Sequence, residues 1–128
     1  MKTHKDLDIW QSGIDLVTEI YKTTENFPKE EMYGLSSQMR RSAVSYPSNI
    51  AEGAARNSKL EYIRFIYISL GSLSELETQI VISEKLGFIN KAEDLLNKIE
   101  SLRKMTLNFI KYLKNKSSIN TIKVNNEK

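Results

Sequence analysis

The stretch QMRRSAVSYPSNIAEGAAR, residues 38–56, decides how the chain is read, because it keeps helical periodicity through residues that ordinarily interrupt a helix. On a wheel of about 100° per residue it sorts, with Leu35 ahead of it, into three stripes. Leu35, Met39, Tyr46 and Ile50 form an apolar stripe that belongs in a core. Gln38, Arg41, Ser45, Ser48, Asn49, Glu52 and Arg56 share roughly 100° of arc, the width of one face of a surface helix. Arg40, Val44, Ala51 and Ala55, with Pro47 at the margin, make a third stripe of mostly small side chains, which lets another backbone approach. Pro47 lacks an N–H and crowds the carbonyl of Ala43, at a cost of about 3 kcal/mol in a helix interior. A kink or local break is expected there, with the hydroxyls of Ser42, Ser45 and Ser48 as candidate donors to the freed carbonyl.

Outward from this segment the pattern stays helical. Leu7, Trp10, Ile14, Val17 and Tyr21 recur in alternating threes and fours, widened by Ile9, Leu16 and Ile20, and predict a first helix over residues 6–26. Pro28 biases Phe27 away from helix and suits the first turn of the next one, where Glu30 and Glu31 complement the positive end. The second helix is therefore expected from between Pro28 and Glu31 to Ala55. Ser58 with Glu61 reads as a capping box opening a third helix over residues 59–86. That helix is apolar almost all round, as Ile63, Phe65, Ile68, Leu73, Ile80 and Ile82 do not fit one stripe. Gly87 stands where a left-handed C-terminal cap belongs, and Asn90 with Glu93 is the expected next N-cap. The fourth helix follows Leu95, Ile99, Leu102, Thr106, Phe109 and Leu113.

Helices of this length span about 30 to 40 Å, and short turns make sequential neighbours antiparallel. The predicted fold is all-α, an antiparallel up-down-up-down four-helix bundle over residues 1–114. Residues 115–128 are polar, lack helical periodicity, and read as a flexible tail.

Composition narrows the function. The chain has 128 residues, 40% of them hydrophobic and 27% charged, which suits one soluble domain. No apolar run approaches the ~20 residues that span a bilayer, so no membrane partner is expected. The start, MKTHKDLDIW, has no apolar signal region behind its lysines, and a bacterial-type cytoplasmic location is the expectation. The absence of cysteine excludes disulfides, thiolate zinc sites and cysteine nucleophiles. The net charge of +3 owes much to the C-terminal lysines and permits nucleic-acid binding without demanding it.

Catalytic chemistry has few candidates. The single histidine, His4, lies at the N-terminal end, and a lone solvated histidine is the ordinary reading. Glu75 and Glu77 point apart on a helix, and the Glu-x-x-His pairs of a di-metal bundle are missing. No catalytic residue, metal, cofactor or small-molecule substrate is assigned. The polar stripe on the second helix could be a plain solvated face. Its side chains are instead the short, planar kind that build networks, and the third helix offers partners. The expectation is a structural polar network of Gln38, Arg41, Asn49, Glu52, Glu75 and Glu77, with Arg41 paired to Glu77 or Glu75.

The same stretch, together with FPKEEMYGL, HKDLDIWQSGIDLV, LGSLSELETQI and LGFI, resembles the four-helix bundle family encoded in intervening sequences of bacterial 23S rRNA genes. A related group, the accessory variability determinant proteins of diversity-generating retroelements, is similar. The likeness runs in register over residues 4–90, and its pattern falls on Arg40, Arg41, Pro47, Asn49, Ile50, Ala51, Glu52, Gly53 and Arg56. Tyr46 departs from the aliphatic residue usual there. The resemblance implies a ring-like homo-oligomer, a pentamer, with RNA or DNA as ligand and no catalysis.

Two functional classes follow. In one, Arg40, Arg56, Lys59 and Arg64, repeated around the oligomer, contact phosphates without reading sequence. In the other, the oligomer is a structural or adaptor assembly whose partner is a protein. The all-round apolar third helix and the small stripe on the second both point to self-association, since a monomeric bundle needs one buried stripe per helix.

Overall fold

The computed structural model describes residues 3–116; of the tail expected over residues 115–128, Asn115 is the last residue of the fourth helix and residues 117–128 lie outside the described residues. A short 3-10 turn at His4–Asp6 leads into α1, Asp8–Thr24. A second 3-10 turn at Lys29–Glu31 precedes α2, Leu35–Ala54, followed by α3, Lys59–Lys85, and α4, Glu93–Asn115. Consecutive helices pack against each other and α4 closes onto α1, giving the antiparallel four-helix bundle. The core runs along the shared axis through Ile20, Met39, Tyr46, Ile50, Ile66, Leu73, Leu76, Ile80 and Ile99, all without measurable exposure.

The opening of the second helix differs from the sequence expectation. Residues 29–31 form a separate turn, and Gly34, at φ −117° and ψ −114°, breaks the path before α2 begins. The Glu31 carboxylate then accepts from the Leu35 amide at 3.0 Å, supplying the cap from outside the helix. At the third helix Ser58 does cap, its hydroxyl accepting from the Glu61 amide at 3.2 Å. Glu61 reaches Arg64 at 3.6 Å. Gly87 ends the run as expected, at φ +83°, with the Phe88 amide donating to the Ser83 carbonyl at 2.9 Å. Asn90 does not cap α4. The residue before that helix is Ala92, fully buried, whose amide is taken by the Glu84 carboxylate at 3.1 Å.

Pro47 neither breaks nor ends α2, which is helical on both sides of it. Among the described residues no side chain, from the three serines or elsewhere, donates to the Ala43 carbonyl that Pro47 frees; side-chain donors meet the two carbonyls just ahead of the proline instead. Ser69 of α3 donates to the Tyr46 carbonyl at 2.8 Å, and Asn49 donates to the Ser45 carbonyl at 2.9 Å. The Ser45 hydroxyl meets Ser72 at 2.8 Å instead. On the other side of α2, Gly13 of α1 lies directly over the Tyr46 ring and Pro47, so α1 makes a close approach there, as α3 does at Gly53. The Tyr46 hydroxyl crosses the bundle to Thr106 of α4 at 2.7 Å, and Thr106 donates on to the Leu102 carbonyl at 2.6 Å. Burial pushes the Tyr46 phenol well above its ordinary range, against the opposing pull of that hydrogen bond.

Candidate nucleic-acid interface

α2 and α3 are joined by a turn of four residues, so Arg56, Lys59 and Arg64 come together around it. Arg56 pairs with Glu52 at 2.8 Å, and Arg64 with Glu61 at 3.6 Å. Both guanidiniums also lie against the ring of Phe65, 4.8 and 5.6 Å from its centre. These are exposed pairs within one helical turn, and such pairs hold charge in place weakly enough to exchange for a phosphate.

Antiparallel packing brings the end of α4 to the same turn. The Lys59 ammonium donates to the carbonyls of Lys116, at 2.6 Å, and Lys114, at 3.2 Å. A cation there satisfies carbonyls that the helix itself leaves unpaired. Lys114 reaches the Tyr67 hydroxyl at 3.1 Å, and Lys116 lies 5.0 Å from the centre of the Tyr112 ring. Five cations, Arg56, Lys59, Arg64, Lys114 and Lys116, thus surround the turn, with Glu52 and Glu61 between them. Lys114 and Lys116 were not assigned to the site from sequence, because only the antiparallel return of α4 places them there.

Arg40 does not join this cluster. It lies in the first third of α2, about 21 Å along the axis from the end of that helix at Ala54, beyond which Arg56 stands. Its guanidinium donates to the Thr24 hydroxyl at 2.8 Å and the Tyr21 carbonyl at 3.2 Å, and covers the Tyr21 ring at 4.5 Å. Arg40 therefore clasps the end of α1.

The expected polar network separates into distinct contacts. Glu77 pairs with Arg103 of α4 at 2.6 Å, which also holds Glu100 at 2.5 Å. Arg103 was overlooked because Glu77 lies on α3, a different helix from its own. Those two carboxylates, Glu77 first, raise the Arg103 guanidinium further. Arg41 forms no pair with Glu77 or Glu75 and is exposed, because its position on α2 faces outward beside the α2–α3 seam. Asn49 bonds Ser45, and Glu52 bonds Arg56. Gln38, Arg41 and Glu75 share one polar hollow with Tyr33, Ser37, Ser42 and Ser45.

A shallow, mostly apolar hollow beside the basic turn is lined by Leu60, Ile63, Tyr67 and Ile68, with Glu61 and Arg64 at its edge. Leu60 is 79% exposed, and Ile82 and Leu86 are exposed toward the far end of α3, separated from Ile68 by the exposed Ser74, Glu75 and Thr78. Tyr62, packed against Phe109, has its phenol pushed up to about 12, first by burial and then by the charge of Tyr112. Among the described residues no group of three or more His, Cys, Asp or Glu side chains could hold a metal ion, and no helix is long and apolar enough to cross a membrane.

A model of the 23S rRNA-intervening sequence protein family matches residues 5–108. No curated protein matches the chain. Among solved structures, the chain is similar to a protein of unknown function from the S23 ribosomal protein family of Bacteroides thetaiotaomicron VPI-5482, whose crystal structure was determined at 1.70 Å resolution. The two are 22% identical with a TM-score of 0.71, and the match covers 80% of this chain and 98% of that one. At this identity the likeness concerns the fold.

Proposed function

Because the chain belongs to the 23S rRNA-intervening sequence protein family, we propose that it is a binding protein without catalytic activity, a ring-like homopentamer that holds RNA or DNA through phosphate contacts. The observation that carries this reading is the basic cluster around the α2–α3 turn, assembled from three helices. Arg56, Arg64 and Lys114 offer exposed charge to a phosphate chain, while Lys59 fixes the end of α4 beneath them. Few cations per subunit bind weakly, but a closed ring repeats them, and joint contacts raise avidity by ~10² to 10⁴. Phosphates carry no base identity, so contacts at this cluster are largely indifferent to sequence.

The exposed apolar row Leu60, Tyr67 and Ile68 near the start of α3, with Ile82 and Leu86 exposed beyond the polar Ser74, Glu75 and Thr78, supports self-association, since apolar surface of this kind marks an interface. The same row supports the second reading, an adaptor oligomer whose partner is a protein. Gel-shift titration separates them. The wild type is expected to retard RNA at low salt, and the Arg56→Glu/Arg64→Glu/Lys114→Glu variant to lose the shift. Equal shifts for both proteins reject the cluster, and no shift for either favours the protein partner. Light scattering tests the ring: a particle of 14.8 kDa at micromolar concentration rejects it.

A further inference from the structure

The polar hollow between α2 and α3 has an unusual charge arrangement. Among the described residues, four of the five arginines are engaged: Arg40 with Thr24, Arg56 with Glu52, Arg64 with Glu61 and Arg103 with Glu77. Arg41 alone has neither an ion pair nor a hydrogen bond there. Glu75, on the facing helix, is likewise without a partner among the described residues, although it lines the same hollow of 270 Å³. A guanidinium and a carboxylate that share a hollow without meeting are set for a ligand with an anionic end and an amine-bearing end.

Tyr33 adds the feature that selects the ligand. It lines the hollow, yet it is 91% exposed, the most open of the large apolar side chains. An aromatic ring held in water at the mouth of a polar hollow offers a flat face to another flat group. A small zwitterion would use Arg41 and Glu75 and leave that face idle. A phosphate alone would use Arg41 and be repelled by Glu75.

We propose that this hollow is a site for one unpaired nucleotide: the base stacks on Tyr33, its exocyclic amine donates to Glu75, and the adjoining phosphate pairs with Arg41. Gln38 and Ser37 line the walls and can donate or accept at the remaining base and sugar atoms. The inference rests on the proposed nucleic-acid function and deepens it, since it adds base selection to a sequence-blind basic cluster. Cytosine, adenine and guanine carry the amine, whereas uracil turns a carbonyl toward the carboxylate. The site belongs to single strands, because a base inside a duplex has no free face for Tyr33.

The test measures fluorescence anisotropy with the full chain and two labelled probes at low salt, a short oligocytidylate and an oligouridylate of equal length. Both pyrimidines have similar rings and differ at the amine. Oligocytidylate is expected to bind several-fold more tightly. Tyr33→Ala, a change at an exposed position, is expected to weaken both probes by roughly 5- to 150-fold, the range of one lost base stack. Glu75→Gln is expected to narrow the difference between the probes while leaving oligouridylate binding in place. Binding that is equal for the two probes, or unchanged by Tyr33→Ala, overturns the nucleotide site and leaves the basic cluster standing. Absence of binding by either probe overturns the nucleic-acid function itself, and this site with it.

Discussion

Gly13→Ala should destabilise the protein although it places a better helix former in the middle of α1. A Cβ at Gly13 would stand 2.7 and 2.8 Å from two ring carbons of Tyr46, closer than carbon atoms approach, while Pro47 at 3.5 Å remains in ordinary contact. Tyr46 cannot yield readily, because it is fully buried and tied through its hydroxyl to Thr106. Overpacking of this kind costs about 1 to 3 kcal/mol. The gain from replacing a helical glycine by alanine is about 1 kcal/mol. The net expectation is a loss between roughly zero and 2 kcal/mol. In a Tyr46→Ile background the ring is gone, and Thr106 keeps its bond to the Leu102 carbonyl. There Gly13→Ala should stabilise by up to about 1 kcal/mol. Urea denaturation of the four proteins, read as midpoint shifts at constant slope, gives the coupling, expected at about 1 to 3 kcal/mol. If Gly13→Ala stabilises both backgrounds equally, the close approach of α1 to Tyr46 is not the constraint described.

Arg41→Ala should leave stability within about 0.5 kcal/mol, since an exposed side chain without a partner is removed, and the melting curve should superpose on the wild type. Arg103→Ala should cost on the order of 1 kcal/mol, because it strips a shared cation from Glu77 and Glu100; an unchanged midpoint would deny that bridge a role. Alkaline stability should report Tyr62. Its folded phenol is raised from 10.0 to about 12, so its contribution is whole below pH 10.0 and is lost as pH climbs toward about 12. The slope is about 1.4 kcal/mol per pH unit, and Tyr62→Phe should flatten the curve by that amount in a denaturation series across the range.

The helices were legible because their signals are local. Threes-and-fours spacing, Ser58, and Gly87 at positive φ each act within a turn or two of chain. Boundaries that failed were set from further away: Ala92 opens α4 because Glu84 reaches it across the loop, which no property of Asn90 reveals. The polar stripe on α2 was legible as a stripe, but its pairing was not. Glu77 had a nearer cation in Arg103, and that choice depends on how α3 and α4 turn toward each other. The same dependence hid Lys114 and Lys116 from the basic cluster and removed Arg40 from it. Sequence spacing ranks neighbours along one helix, whereas the cluster is an arrangement among three.

The measurement that bears most directly on the central claim is the salt dependence of RNA binding by the wild type and by the Arg56→Glu/Arg64→Glu/Lys114→Glu variant. Three phosphate contacts from one subunit give a slope of log K against log salt of about −2 on a single strand, and a ring that engages several subunits makes it steeper. The account predicts a slope at least that steep for the wild type and a marked flattening, with weaker binding, for the variant. A wild-type affinity indifferent to salt, or a slope the variant leaves unchanged, would contradict it.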